Sequence, residues 1–197
     1  SSEIHEWQNF ARLIRSTVDI EVDLPQLNIP AHPVRDQIVI HPFAGGAKPY
    51  LKEWPDIKWK KLVDHLTAQG HSIVLSAGTE DRDRAAELSQ HFEQRDRVQI
   101  IPKGTSLKEL GVTMRESRLV ISVNTGAMHL AAALGVKTLG IHGPTSSKRW
   151  GPLGTHSRSV NSELRCSPCL NLGFDYGCPK NNCMLEIPVE RVLAAVD

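Results

Sequence analysis

Five short apolar runs, most of them followed by an amphipathic helical pattern, constrain this chain more than any other feature. The runs are "QIVIHP" (37–42), "HSIVLSAG" (71–78), "RVQIIP" (97–102), "RLVISV" (118–123) and "KTLGIHG" (137–143). Their cores are continuously apolar rather than alternating, the pattern of strands buried on both faces. Helical patterns separate them. "WKKLVDHLTAQG" turns Trp59, Leu62, Val63 and Leu66 inward and is closed by Gly70. "TEDRDRAAELSQHF" and "GAMHLAAALG" are two more, and "SLKELGVTMRES" aligns Leu107, Leu110 and Met114. A last helix, "PVERVLAAV", is marked by Val189, Val192, Leu193 and Val196. Strands alternating with helices predict a doubly wound, Rossmann-like α/β domain with a parallel sheet.

Residues 1–36 stand apart from this pattern as a helix over 3–17, with Ile4, Trp7, Ala11 and Ile14 on one face, and the connector "DLPQLNIPAHPVRD". Residues 37–197 then form the domain, long enough to bury a core of its own. The chain begins inside a helical pattern, as an excised or processed piece would. Its net charge of +1 argues against nucleic acid as a partner. No apolar run approaches the ~20 residues of a transmembrane segment, and "SSEIHEWQNF" has no signal- or transit-peptide profile. There is no internal repeat or low-complexity tract.

In such a sheet, ligands bind at the carboxyl ends of the strands, so the strand-to-helix loops carry the chemistry. The fourth loop, "VNTGAMH", is the most informative. A helix N-terminus offers unpaired N–H groups and a partial positive charge. Asn124 or Thr125 can cap that helix, Gly126 leaves room for a phosphate, and His129 lies about one turn in. The other loops add Lys48 and Lys52, Lys103, and Lys148 with Arg149. In a nearly neutral chain, basic groups along one crevice edge suit a diphosphate. Glu80, the acid of the second loop, can accept from ribose or sugar hydroxyls or simply favour its helix start. Three fingerprints are missing: G-x-G-x-x-G after the first strand, the P-loop and G-x-S-x-G. These absences argue against dinucleotide oxidoreductases, P-loop NTPases and α/β-hydrolases.

Taken in order, "IVIHPFAGGAKPYLKEWP", "SIVLSAGTEDRD", "GTSLKEL" and "VISVNTGAMHLAAALGVKTLGIHGPTSSKRWGP" resemble the C-terminal half of the family 9 glycosyltransferases. These are the ADP-heptose:lipopolysaccharide heptosyltransferases and their relatives. The resemblance implies a GT-B fold of two facing Rossmann-like halves, this half binding the nucleotide-sugar donor. It implies that Lys52 contacts donor phosphate, that Thr125 and Gly126 present amides to the diphosphate, and that His129 lines the pocket. Glu80 would lie near the ribose or sugar, and Thr105 of "GTSLKEL" is placed with the donor-binding residues. Asn124 stands where the family usually has Asp.

The implied function is inverting transfer of a sugar from a nucleoside diphosphate, ADP-heptose for example, to lipopolysaccharide or another cell-envelope saccharide. No cofactor is required for that chemistry. No catalytic residue is assigned within residues 1–197, because the family's general base and acceptor site lie in its N-terminal half. The implied location is cytoplasmic or peripheral at the inner membrane. Two alternatives remain: a nucleotide-sugar binding or scaffold domain without activity, and a GT-B-like nucleotide-sugar epimerase.

Cys166, Cys169, Cys178 and Cys183 form a C-x2-C-x8-C-x4-C insert over 166–183. Four thiolates at this spacing can close a structural zinc site. Two local disulfides and free thiols are the rival states, and disulfides are rare on the cytoplasmic side, where the family acts.

Overall fold

β1 (Arg35–His41) lies near the middle of a six-stranded sheet because both of its faces are apolar. Ile38 and Ile40 point to one helix layer and Val39 to the other. The remaining strands are β2 (Ser72–Leu75), β3 (Val98–Ile100), β4 (Ser117–Val123), β5 (Thr138–His142) and β6 (Ser157–Asn161). All pairs are parallel, in the order β3-β2-β1-β4-β5-β6 of a Rossmann sheet. The computed structural model describes residues 4–18, 23–24, 26–30, 33–46, 48–170 and 178–196.

The helices are α1 (Glu6–Thr17), α2 (Asp56–Ala68), α3 (Arg82–Gln90), α4 (Leu107–Arg115), α5 (Gly126–Ala133), α6 (Ser147–Trp150), α7 (Asn182–Glu186) and α8 (Val189–Leu193). On the larger layer, Trp59, Leu62 and Leu66 of α2 pack with Ala85 and Leu88 of α3, Met184 of α7 and Val192 of α8. On the other, Met114 of α4 and Ala131 of α5 cover Val39, Val74 and Val120. Two apolar layers on one sheet account for the continuous apolar strands.

The predicted doubly wound architecture holds, with local differences. β6, α6 and α7 were not expected. β6 is an edge strand whose sequence, "SRSVN", buries only Val160, so it carries no apolar signal. Leu107, expected inward, is 69% exposed because it opens α4 before the helix meets the sheet. Gly111 takes its place: a Cβ there would lie 2.6 Å from Ile29 of the connector. On α1 only Ala11 is buried, and Phe10, Leu13 and Ile14 face outward. The connector packs on the domain, with Leu27 N–H donating to Ala133 O at 2.9 Å. No helix among the described residues is long and apolar enough to cross a membrane.

Candidate functional site

The strand order reverses between β1 and β4, which opens a crevice at their carboxyl ends, where His41 lies opposite Ser122. Four loops and the N-terminus of α5 surround it.

The β1 loop carries Lys52 at the end of a 3₁₀ turn, Pro49–Leu51, entered through Lys48 at φ 47°. Lys52 Nζ donates to Gly45 O at 2.7 Å, and partial burial pulls its pKa below the usual lysine value. The ammonium therefore sits folded onto its own loop, poised to exchange a carbonyl for a better anion. α3 clamps the loop: Arg84 donates to both Glu53 oxygens at 3.1 and 2.6 Å and lies 4.4 Å over the Phe43 ring. Glu53 in turn accepts Ala44 N–H at 3.1 Å.

On the β4 side, Thr125 is the N-cap of α5, in extended conformation, but its side chain makes no capping bond. The expected side-chain cap is absent, so the first amides of α5 keep their donor capacity. Gly126 is exposed, and a Cβ built on it would meet nothing within 4 Å. Asn124 and Thr125 are half-buried beside it. Residues of this kind, small and uncapped, leave a helix terminus open to an anion.

His129 is half-buried, its ring edge-on to His5 with centroids 6.5 Å apart. Burial, then the nearby His5, lowers its pKa and favours neutral imidazole. Glu80 is exposed in the 3₁₀ turn Thr79–Asp81, whereas Asp81 is bound to Arg84 at 2.7 Å. Thr105 closes the turn after β3, its hydroxyl donating to Pro102 O at 2.7 Å. Lys103 and Lys148 are exposed. Arg149 faces α1 instead, donating to Glu6 at 2.7 Å.

Two buried histidines were not singled out from the sequence. His41 closes β1 and shares a hydrogen bond of 2.6 Å with Ser76 Oγ. Burial, opposed by the charge of Asp81 and assisted by that of Arg82, pushes its pKa down to about 4. His142 closes β5, contacts Thr145 Oγ1 at 3.3 Å, and burial pushes it down to about 3. The available signal was a repeated pattern, "IVIH" and "LGIH", in which an apolar strand ends in imidazole at the ligand edge.

The thiols of Cys166, Cys169, Cys178 and Cys183 are unbridged. Burial raises the Cys169 and Cys183 thiols, Cys183 to about 11; Cys166 and Cys178 add to the shift of Cys169, Cys169 and Cys178 to that of Cys183. No cluster of three such groups able to hold a metal forms among the described residues, which include all four cysteines. Cys169 and Leu170 donate backbone N–H groups to Pro144 O, both at 2.8 Å, so the insert braces the loop after β5.

Residues 14–178 match the family "Glycosyltransferase family 9 (heptosyltransferase)". Lipopolysaccharide heptosyltransferase 1 of Pseudomonas aeruginosa is 33% identical over 135 residues, covering 68% of this chain and 37% of that protein. Among solved structures, E. coli ADP-heptose lps heptosyltransferase II superposes with a TM-score of 0.71 at 22% identity, covering 87% of this chain and 52% of that one. E. coli heptosyltransferase WaaC with ADP gives 0.69 at 20% identity, covering 100% and 57%. The chain therefore spans little more than a third of the first curated relative and about half of the solved ones. With its sheet order, its open α5 terminus and this match over most of its length, the chain belongs to glycosyltransferase family 9.

Proposed function

We propose that residues 37–197 are the donor-binding domain of a sugar transferase that uses a nucleoside-diphosphate sugar. The observation that carries this is that Lys52, after β1, and the uncapped N-terminus of α5, after β4, follow adjacent strands at the switch point of the sheet. One supplies a mobile cation, the other fixed amides, and together they suit a diphosphate. The WaaC structure with ADP supports adenosine diphosphate as the nucleotide, and the P. aeruginosa relative supports heptose and a lipopolysaccharide acceptor. The epimerase and scaffold alternatives gain no such support.

The acceptor hydroxyl attacks the anomeric carbon as the bond to the diphosphate breaks, inverting the centre. The diphosphate leaves with the bonding pair, stabilised by Lys52 and the α5 amides, and a general base takes the hydroxyl proton. In the two-domain fold that the family resemblance implies, that base belongs to the facing, N-terminal half. Glu80 and His129 contact the ribose or sugar, with Thr105 and Asn124 at the pocket rim. The same reading puts the reaction on the cytoplasmic side, with the enzyme either free there or peripheral at the inner membrane. Thermal shift tests the donor site: ADP stabilises the chain more than AMP or adenosine, and Lys52→Ala reduces the ADP effect without unfolding. Equal shifts from adenosine and ADP would exclude phosphate recognition.

The four-cysteine insert is a structural metal site in the same proposal, with zinc the metal best suited to four soft thiolates. Its support is the C-x2-C-x8-C-x4-C spacing; the four thiols are not gathered into a metal-holding cluster in this structure. Elemental analysis after chelator-free purification gives about one zinc per chain if this is so. Metal-free protein with four reactive thiols rejects it.

A further inference from the structure

Arg82 opens α3 at the ligand edge of the sheet, and its Nε and Nη1 are buried without a hydrogen-bond partner among the described residues. Two acids of the neighbouring loops are already engaged by Arg84. Asp81 accepts from Arg84 at 2.7 Å, and both oxygens of Glu53 accept from the same guanidinium. Glu80 and Asp83 are exposed. The neighbouring imidazole, His41, is buried, is held neutral and bonds Ser76. Burying guanidinium donors unmatched is costly, and a protein that kept the charge for packing alone would gain from an apolar side chain. Nε and Nη1 are closed to solvent, so the side chain sheds this cost by turning into the crevice and meeting an anion there. A guanidinium matches phosphate oxygens with two parallel donors.

The position of Arg82 specifies which anion. It follows β2, whereas the open amides of α5 follow β4, and β1 with the Lys52 loop lies between them. Strands one apart from a shared neighbour are separated by roughly 10 Å, a gap that a diphosphate and a long arginine side chain bridge together. We propose that Arg82 is a donor-binding residue that pairs with the diphosphate from the β2 side of the crevice, opposite the α5 amides. This rests on the donor-site function proposed above, and it adds a cation that neither the loop motifs nor the lysine pattern indicated.

The test is binding of ADP, pyrophosphate and adenosine by the wild-type chain, Arg82→Met and Arg82→Lys, by calorimetry and thermal shift. Methionine keeps apolar bulk and removes the charge. The expected result is that Arg82→Met folds with an unchanged or higher Tm, binds ADP and pyrophosphate at least tenfold more weakly, and treats adenosine as the wild type does. Arg82→Lys recovers part of the loss, because an ammonium keeps the charge and lacks the fork. Wild-type affinity for ADP and pyrophosphate in both variants overturns the role of Arg82 while leaving the donor site intact. A lowered Tm in Arg82→Met with Arg82→Lys binding both ligands normally overturns it too, marking the guanidinium as structural. A wild-type chain that binds neither ADP nor pyrophosphate overturns the donor site and Arg82 together.

Discussion

Arg149 Nε donates to Glu6 Oε2 at 2.7 Å, and both side chains are only 14% exposed, so α6 holds the start of α1 across most of the chain. His5 completes the attachment. Its Nδ1 accepts Trp7 N–H at 3.1 Å, which leaves Nε2 as the protonated nitrogen that donates to Gly151 O at 3.0 Å. These contacts place α1 against His129, on the rim of the proposed donor pocket. The rest of the helix turns Phe10 and Leu13 to solvent.

Glu6→Gln should therefore loosen α1 without unfolding the domain. Hydrogen-exchange protection of α1 should fall about tenfold, the local equivalent of 1–2 kcal/mol, with little change in the sheet. The Arg149 bond holds the Glu6 carboxyl below the usual carboxylate range. The attachment is thus complete above the ordinary glutamate pKa and is lost as pH falls through the depressed value. Unchanged α1 protection in Glu6→Gln would show that the pair does not hold the helix.

Two glycines should respond oppositely to alanine. At Gly126 an added methyl meets open space and the backbone is unstrained, so Gly126→Ala should keep the fold at full stability. If the proposed donor site is right, the methyl occupies the room of the phosphate, and ADP affinity should drop. At Gly140 a Cβ would lie 2.7 Å from Met128 Sδ and 2.8 Å from His142 Nε2. Gly140→Ala should cost about 1–3 kcal/mol by overpacking. Denaturant titration with ADP calorimetry separates the two, and full ADP binding by Gly126→Ala argues against phosphate over that helix terminus.

The buried histidines make the fold acid-sensitive. His41 titrates at about 4 and His142 at about 3 in the folded chain, against 6.5 for each when unperturbed. Between these values the unfolded chain binds more protons, so stability is complete above 6.5 and declines as pH falls towards 4 and 3. The His41 contribution approaches roughly 3 kcal/mol in acid. Tm measured from neutral pH down to about 4.5 should fall, and His41→Asn should flatten the fall. An equal slope in the variant removes His41 as its source.

Thiol accessibility should rank the cysteines. Cys166 and Cys178 are exposed, Cys169 is partly covered, and Cys183 is buried against Gly143. Alkylation of native, metal-free protein followed by peptide mass spectrometry should label Cys166 and Cys178 first and Cys183 last. Labelling of Cys183 as fast as Cys166 contradicts its burial.

The parallel sheet, the succession of its first five strands along the chain and the ligand edge were legible in the sequence because buried parallel strands must be apolar on both faces. "VISVNTGAMH" also shows where a strand stops and a helix begins, since small polar residues at that junction have few other uses. β6 was invisible because an edge strand needs apolar residues only where it touches the core, and Val160 alone does so. α6 and α7 are too short to show a period.

The loop motifs located Lys52, Thr125, Gly126 and His129 on one edge because each follows a strand of the same sheet. Which of the basic residues remain available there is a tertiary result. Arg149 is claimed by Glu6 from the far end of the chain, whereas Lys52 rests on the carbonyl of Gly45 within its own loop and stays available. Arg84 holds Asp81 and Glu53, and Nε and Nη1 of Arg82 are left without a hydrogen-bond partner among the described residues. A sequence determines which side chains carry charge and which strand end they follow. Only the folded chain decides which charges neutralise one another and which are left for a ligand, because ion pairing depends on distances of a few ångströms between segments remote in sequence.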